Sequence, residues 1–161
     1  MSRTKKLGDE AEVYAARLLS ERGYSPSLLP TNYPTFDIEV NGRVSFNVSV
    51  KASAEKQHVR LGARRSAKGL TAGSFVFAFM PVPGSKVLTL KKGGYRLLIV
   101  PGDIARDDAI ALADSYAIHR GIEGEYGYSL MVKGYSKRPH QVEVWARWAK
   151  YEEAWGQLPK P

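Results

Sequence analysis

The chain has no cysteine in its 161 residues. That excludes a disulfide framework and any thiolate-ligated metal. Histidine is nearly as scarce. His58, His119 and His140 lie far apart and show no metal spacing, so a zinc site is discounted and they are assigned no role. No apolar run approaches the ~18 residues of a membrane span, and the opening MSRTKKLGDE lacks the apolar centre of a signal peptide. A soluble, cytoplasmic protein with no membrane partner is expected. There is no internal repeat and no low-complexity tract. Acid is in deficit as well: 16 Asp and Glu stand against 24 Lys and Arg, a net charge of +8. An excess of that size on a small protein suits a polyanionic partner, of which nucleic acid is the commonest, although it can serve solubility alone.

What is present is the material of a globular domain. An apolar content of 43% is enough for a packed core. We expect a single domain over 1–161, with its core over about 5–120 and a C-terminal extension over about 121–161. Leu7, Ala11, Tyr14, Ala15, Leu18 and Leu19 recur at helical spacing, which predicts an amphipathic helix from Leu7 to about Arg22, stopped by Gly23. Asp9, Glu10 and Glu12 then fall toward its N-terminus, and Glu12 lies at the rim of the apolar stripe. Residues 25–29 read as a short extended segment. Residues 74–82 and 95–100 read as strands buried on both faces, and 104–119 as a helix. A short strand is expected at Tyr128–Val132. From Val142 the choice is a C-terminal helix with Trp145, Trp148 and Trp155 on one face, core residues rather than base-stacking platforms.

The most informative stretch is Pro34–Lys51, PTFDIEV–NGR–VSFNVSVK. Asn41-Gly42 is a strong hairpin signal, because both central residues of a type I′ turn need positive φ. Alternation sets Phe36, Ile38 and Val40 on one face and Asp37 and Glu39 on the other. In the second strand Phe46, Val48 and Val50 share the apolar face, and Asn47, Ser49 and Lys51 the polar one. An acid and a lysine so placed are half of a metal-assisted phosphodiesterase site, or simply a solvated face. Beyond Lys51 the chain turns polar and basic, with Lys56, Arg60, Arg64, Arg65 and Lys68 against the single acid Glu55. This reads as a surface loop that could contact phosphates.

The order of a helix carrying an internal Glu, then Asn32…Pro34-x-x-Asp37-Ile38, an Asn-Gly turn and Val50-Lys51, resembles the PD-(D/E)XK superfamily of restriction-endonuclease-like nucleases, which includes archaeal-type Holliday junction resolvases. The likeness covers about residues 7–118. It implies an α/β fold: a restriction-endonuclease-like mixed β-sheet flanked by α-helices. It also implies a Mg²⁺- or Mn²⁺-dependent endonuclease. By that resemblance Asp37 and the residue at 49 bind metal, Lys51 stabilises transition-state charge or positions water, and Glu12 adds a carboxylate from the first helix. Position 49 departs from the pattern: it is Ser, not Asp or Glu. Some tetrameric restriction enzymes of the family also read Ser-x-Lys and draw the missing carboxylate from the following helix, and other members use Gln. Glu55 is the one acid between Lys51 and Asp103, and it comes too early for that role.

Mg²⁺ prefers oxygen ligands and keeps several waters, so Asp37, Glu12 and the Val50 carbonyl form an adequate set. Glu39, about 6.5 Å along the strand from Asp37, is a stretch. The expected function is therefore hydrolysis of DNA phosphodiesters, duplex or branched, by a homodimer or higher homo-oligomer, as many family members are. The second reading, favoured by Ser49, is a degenerate relative that binds nucleic acid without cutting it. The third is a protein-interaction module.

Overall fold

The computed structural model describes residues 2–121 and 129–161. The chain opens with helix α1 (Arg3–Glu21), which the side chain of Ser2 caps by accepting the Lys5 N–H. It begins four residues ahead of the sequence expectation, because the first turn is polar and carries no apolar period. Asp9, Glu10 and Glu12 consequently sit beyond the first turn, outside the reach of the N-terminal dipole. The helix ends where expected. Gly23 at φ +90° lets its own N–H reach the Ser20 carbonyl and the Tyr24 N–H reach that of Leu19.

Strands β1 (Ser25–Leu28), β2 (Ile38–Asn41), β3 (Phe46–Ala52), β5 (Phe75–Met80) and β6 (Arg96–Pro101) form one mixed sheet in the order β1-β2-β3-β5-β6. Only β3 and β5 run parallel. Strand β4 (His58–Gly62) pairs with β7 (Leu130–Lys133) in a separate two-stranded ribbon. One core lies between the sheet and α1, where Ala11, Ala15 and Leu19 meet Ile38, Val48 and Phe77. The other lies beneath helices α3 (Gly102–His119) and α4 (Pro139–Trp148) and the ribbon, where Val76, Ala78 and Val100 meet Ala105, Ala109 and Trp148. Residues after 129 thus belong to the packed body: Leu130, Val132, Val144 and Trp148 all enter the second core. The strand expected at 128–132 is β7; Tyr128 itself lies outside the described residues. No described helix is long and apolar enough to cross a membrane.

Three other local expectations are corrected. The hairpin does not turn on Asn41-Gly42. Neither residue has positive φ, and Val40 pairs with Phe46 across a wider loop. A two-residue turn at 41–42 would pair Val40 with Arg43 and set apolar side chains against polar ones. Burial of one whole face decides the register over the turn preference. The basic stretch 56–68 is not a loop: it contains β4 and the one-turn helix α2 (Arg64–Ala67), anchored by buried Val59, Leu61 and Ala67. Trp155 does not share the face of Trp145 and Trp148. The helix ends at Trp148, the chain passes the edge of β6 through a Leu98–Glu152 bridge, and Trp155 packs edge-on against Phe77 in the opposite core.

The turn that leads into β2 is strained at one residue. Thr35 has φ +67°, a rare conformation for a β-branched residue, costing on the order of 1–3 kcal/mol. It is held by α2: Thr35 Oγ1 donates to the Ser66 carbonyl at 2.9 Å, and the residue lies directly against Gly69. A Cβ at Gly69 would collide with Thr35 Oγ1. Gly69→Ala should therefore destabilise the fold by about 1–3 kcal/mol, read as a lower urea midpoint at unchanged slope. A midpoint equal to wild type would show that Thr35 is not clamped.

Candidate active site

The strained turn at Thr35 delivers Asp37 in an unusual way. Strand alternation would put Phe36 on the face of Ile38 and Val40. Instead Phe36 packs against the opposite core. The ladder between β2 and β3 ends at Ile38–Val48, with the Asp37 N–H still reaching the Val48 carbonyl at 2.9 Å. On the next rung the Asp37 carboxylate replaces the backbone: Oδ2 accepts the Val50 N–H at 2.7 Å. Asp37 therefore lies in the plane of the sheet, in the fork where β2 leaves β3. It does not share an outer face with Glu39, which pairs with Asn47 farther along.

Glu12 reaches this fork from α1, on one side of the sheet. Its carboxyl lies close to that of Asp37, and its pKa is pushed up to about 7. Burial is the largest cause, followed by the nearby carboxyl of Asp37 and its charge and by the charge of Asp9, with Lys51 pulling the other way. Lys51 belongs to the β3 positions that face the second core, so its ammonium approaches from the other side. Glu12 and Asp37 thus lie close together, and the charge of Lys51 bears on Glu12. Asp9, one helical turn before Glu12, is a further carboxylate that bears on the site. Its spacing in DEAE was visible in the sequence, but a misplaced helix start assigned it to the dipole.

Ser49 is only 1% exposed and stands between Val48 and Val50 at the same fork. It is a neutral hydroxyl in a tight space. Val50 is buried, and its backbone is the part that matters. Alternate strand residues turn N–H and C=O to the same side, so the Val50 carbonyl faces the gap into which its N–H donates.

Among the described residues no three Asp, Glu or His side chains gather as a ready metal cluster. The groups at the fork are nonetheless all hard oxygens: the Glu12 carboxyl, the second Asp37 oxygen and the Val50 carbonyl. That set suits Mg²⁺ or Mn²⁺, which keep waters and need few protein ligands, and does not suit a softer ion. Two carboxyls pressed together so that one favours its proton are also the electrostatic arrangement that a divalent cation relieves.

The five basic candidates separate into two groups. Arg65 and Lys68 stand on the α2 turn that clamps Thr35, two residues from Asp37. Arg64, on the same turn, is engaged with Asp114 of α3. Lys56 lies over the Tyr135 ring at 5.3 Å, and Arg60 is on the β4–β7 ribbon.

The raised Glu12 pKa has a consequence for stability. A carboxyl whose folded pKa of about 7 exceeds its ordinary 4.5 favours the fold fully below the lower value, and that contribution is lost as pH rises through the higher one. Glu12→Gln mimics the protonated form. The substitution should remove a decline of about 1–2 kcal/mol between these pH values, a figure reduced for the solvent screening of a partly exposed group. Urea unfolding of both proteins across that range measures it. Parallel curves would refute the close contact with Asp37.

No family model and no curated protein matches the chain. Among solved structures it is similar to a bacterial homing endonuclease, with TM-score 0.52 and 15% identity over 96% of this chain and 92% of that one. It is also similar to the Holliday junction resolvase of the hyperthermophilic archaeon Archaeoglobus fulgidus, with TM-score 0.45 and 15% identity over 61% of this chain and 75% of that one. Identity that low speaks to architecture alone. The five-stranded mixed sheet flanked by helices is the restriction-endonuclease-like α/β fold that the sequence led us to expect.

Proposed function

We propose that the protein is a Mg²⁺- or Mn²⁺-dependent DNA endonuclease of the PD-(D/E)XK type. The observation that carries the reading is the Asp37 carboxylate seated on the Val50 N–H in the β2–β3 fork, with Glu12 of α1 and Lys51 of β3 near enough for their charges to bear on it. The net charge of +8 and a fold shared with a homing endonuclease support a DNA substrate.

In this reading Glu12, Asp37 and the Val50 carbonyl hold the cation. Once bound, that cation supplies Lewis-acid polarisation of the scissile phosphate and a more acidic water. Asp37 keeps one oxygen on the Val50 N–H, which fixes the direction of the other. Lys51 is a compact positive charge beside the phosphate and stabilises the charge that develops during attack. Arg65 and Lys68 hold the DNA backbone next to the fork. Arg64 serves mainly to tie α2 to α3, so its removal acts through the fold.

Ser49 favours a second reading, a relative that binds nucleic acid without cutting it. Its hydroxyl is buried where the family has an acid and would bind a cation more weakly than a carboxylate.

Plasmid, four-way junction and single-stranded substrates incubated with Mg²⁺ or Mn²⁺ decide between the two. Wild type should cut at least one. Asp37→Asn should abolish cleavage with little change in melting temperature, because the amide oxygen still accepts the Val50 N–H. Asp37→Ala should also lose about 1–3 kcal/mol of stability, since that N–H is left without its partner. Lys51→Ala should slow cutting by roughly 10²–10³-fold. No cleavage by wild type on any substrate would set the enzyme reading aside in favour of the binder.

Ser49→Glu is a separate measurement of the metal site. A carboxylate buried there should lower the melting temperature in EDTA and recover it with Mg²⁺. Equal destabilisation with and without Mg²⁺ would mean that no cation approaches position 49.

A further inference from the structure

We propose that the β4–β7 ribbon is a sequence-reading element: its outer face enters the major groove of duplex DNA and presents His58, Arg60, Met131 and Lys133 to base edges. This rests on the endonuclease reading and adds to it the part of the molecule that would choose where to cut.

The ribbon stands apart from the five-stranded sheet. Its inner face, Val59, Leu61, Leu130 and Val132, is at most 2% exposed and packs into the α3-side core. Alternation then turns the intervening residues outward as two cross-strand pairs, His58 with Lys133 and Arg60 with Met131. A two-stranded antiparallel ribbon is one of the two elements that the major groove, about 12 Å wide, admits. Adjacent pairs on one face lie ~6.5 Å apart, about two base-pair steps.

The chemistry of the face suits bases better than phosphates. A backbone-tracking surface needs only cations. Here two cations stand beside a thioether and an imidazole whose pKa is held below its usual value by burial and by Arg60, Lys56 and Lys133. His58 Nδ1 lies 3.3 Å from the Tyr135 hydroxyl, which leaves Nε2 of the neutral imidazole for a base edge; Met131 offers apolar contact to a thymine methyl, and Arg60 and Lys133 offer donors to guanine. Among the described residues none of Lys56, Arg60 and Lys133 forms an ion pair. At the rim Tyr135 is 48% exposed, with Lys56 over its ring.

The ribbon is also held in place as a reading element must be. The Gln141 side chain satisfies the open edge of β7, accepting the Lys133 N–H at 2.8 Å and donating to the Met131 carbonyl at 3.1 Å. The Gly134 N–H donates to the Gln57 carbonyl at 2.7 Å, and Gly134 lies flat against the Trp145 ring, where no larger residue fits. The connection to the candidate site is short. β4 follows β3 after a turn in which Ser53 Oγ accepts the Lys56 N–H at 3.2 Å, and α2 at its far end carries the clamp on Thr35.

The test is selection from a duplex library with a randomised core, using full-length protein in an Asp37→Asn background so that bound DNA is not cut. The parent should enrich a consensus. Arg60→Ala and Lys133→Ala should each lower base preference about tenfold or more at about two or three adjacent positions. Arg65→Ala should weaken binding evenly across sequences. Arg60 and Arg65 are exposed and Lys133 is half-buried, and unchanged melting curves confirm that the fold is kept. A parent that binds duplex without a consensus, or ribbon variants that keep the parental consensus, would overturn the proposal and leave the endonuclease reading standing. A parent that binds no duplex, in a protein whose wild type also cuts nothing, would overturn both.

Discussion

The hydrogen bond from the Val50 N–H to the Asp37 carboxylate is the contact on which the rest of the site depends. A sheet continues only while backbone meets backbone. Here a side chain takes the next rung, and a charged acceptor makes that exchange favourable. Once it is made, β2 leaves β3, Phe36 crosses to the opposite core, and Thr35 takes up the conformation that carries the chain round. The gap opens in the plane of the sheet rather than on one of its faces. Groups from both sides can then meet in it, Glu12 from the helix layer and Lys51 from the strand.

The helix layer makes its own contribution. Glu12 sits next to Ala11 and one turn from Ala15, both 0% exposed. Such small residues let α1 lie close on β3, and a carboxyl at their margin comes near that of Asp37. The same closeness partly buries the acid and raises its pKa. Tight packing and perturbed ionisation thus have one cause. On the opposite side α2 restrains Thr35, so each margin of the fork is supported by a different core.

The order of elements around residues 34–51 could be read from the sequence because apolar alternation there is strict and one face is wholly buried. Strands β5 and β6 were readable for the same reason, as unbroken apolar runs between Gly- and Pro-containing turns. What escaped was set by contacts distant in sequence. Nothing local announces that Phe36 leaves its strand, since its destination is a core assembled from residues about 23 to 115 positions later. The ribbon was hidden because β4 is five residues long and offers only Val59 and Leu61 as apolar signal amid arginines. Its partner β7 lies about 70 residues away. Trp155 was misplaced because its spacing from Trp148 fits a helix that the chain abandons first.

The passage of the C-terminal segment along β6 has a consequence for how copies of the molecule behave together. Glu152 bridges to Leu98, and the Glu153 N–H donates to the Leu97 carbonyl at 2.9 Å, so the outer margin of β6 is occupied. The other margin is β1, four residues long with Pro26 inside it. A short strand with an absent donor is a poor template for another chain. The five-stranded sheet therefore discourages growth by strand addition at both ends, and a crowded, strongly basic protein is spared one common route to fibrous aggregation.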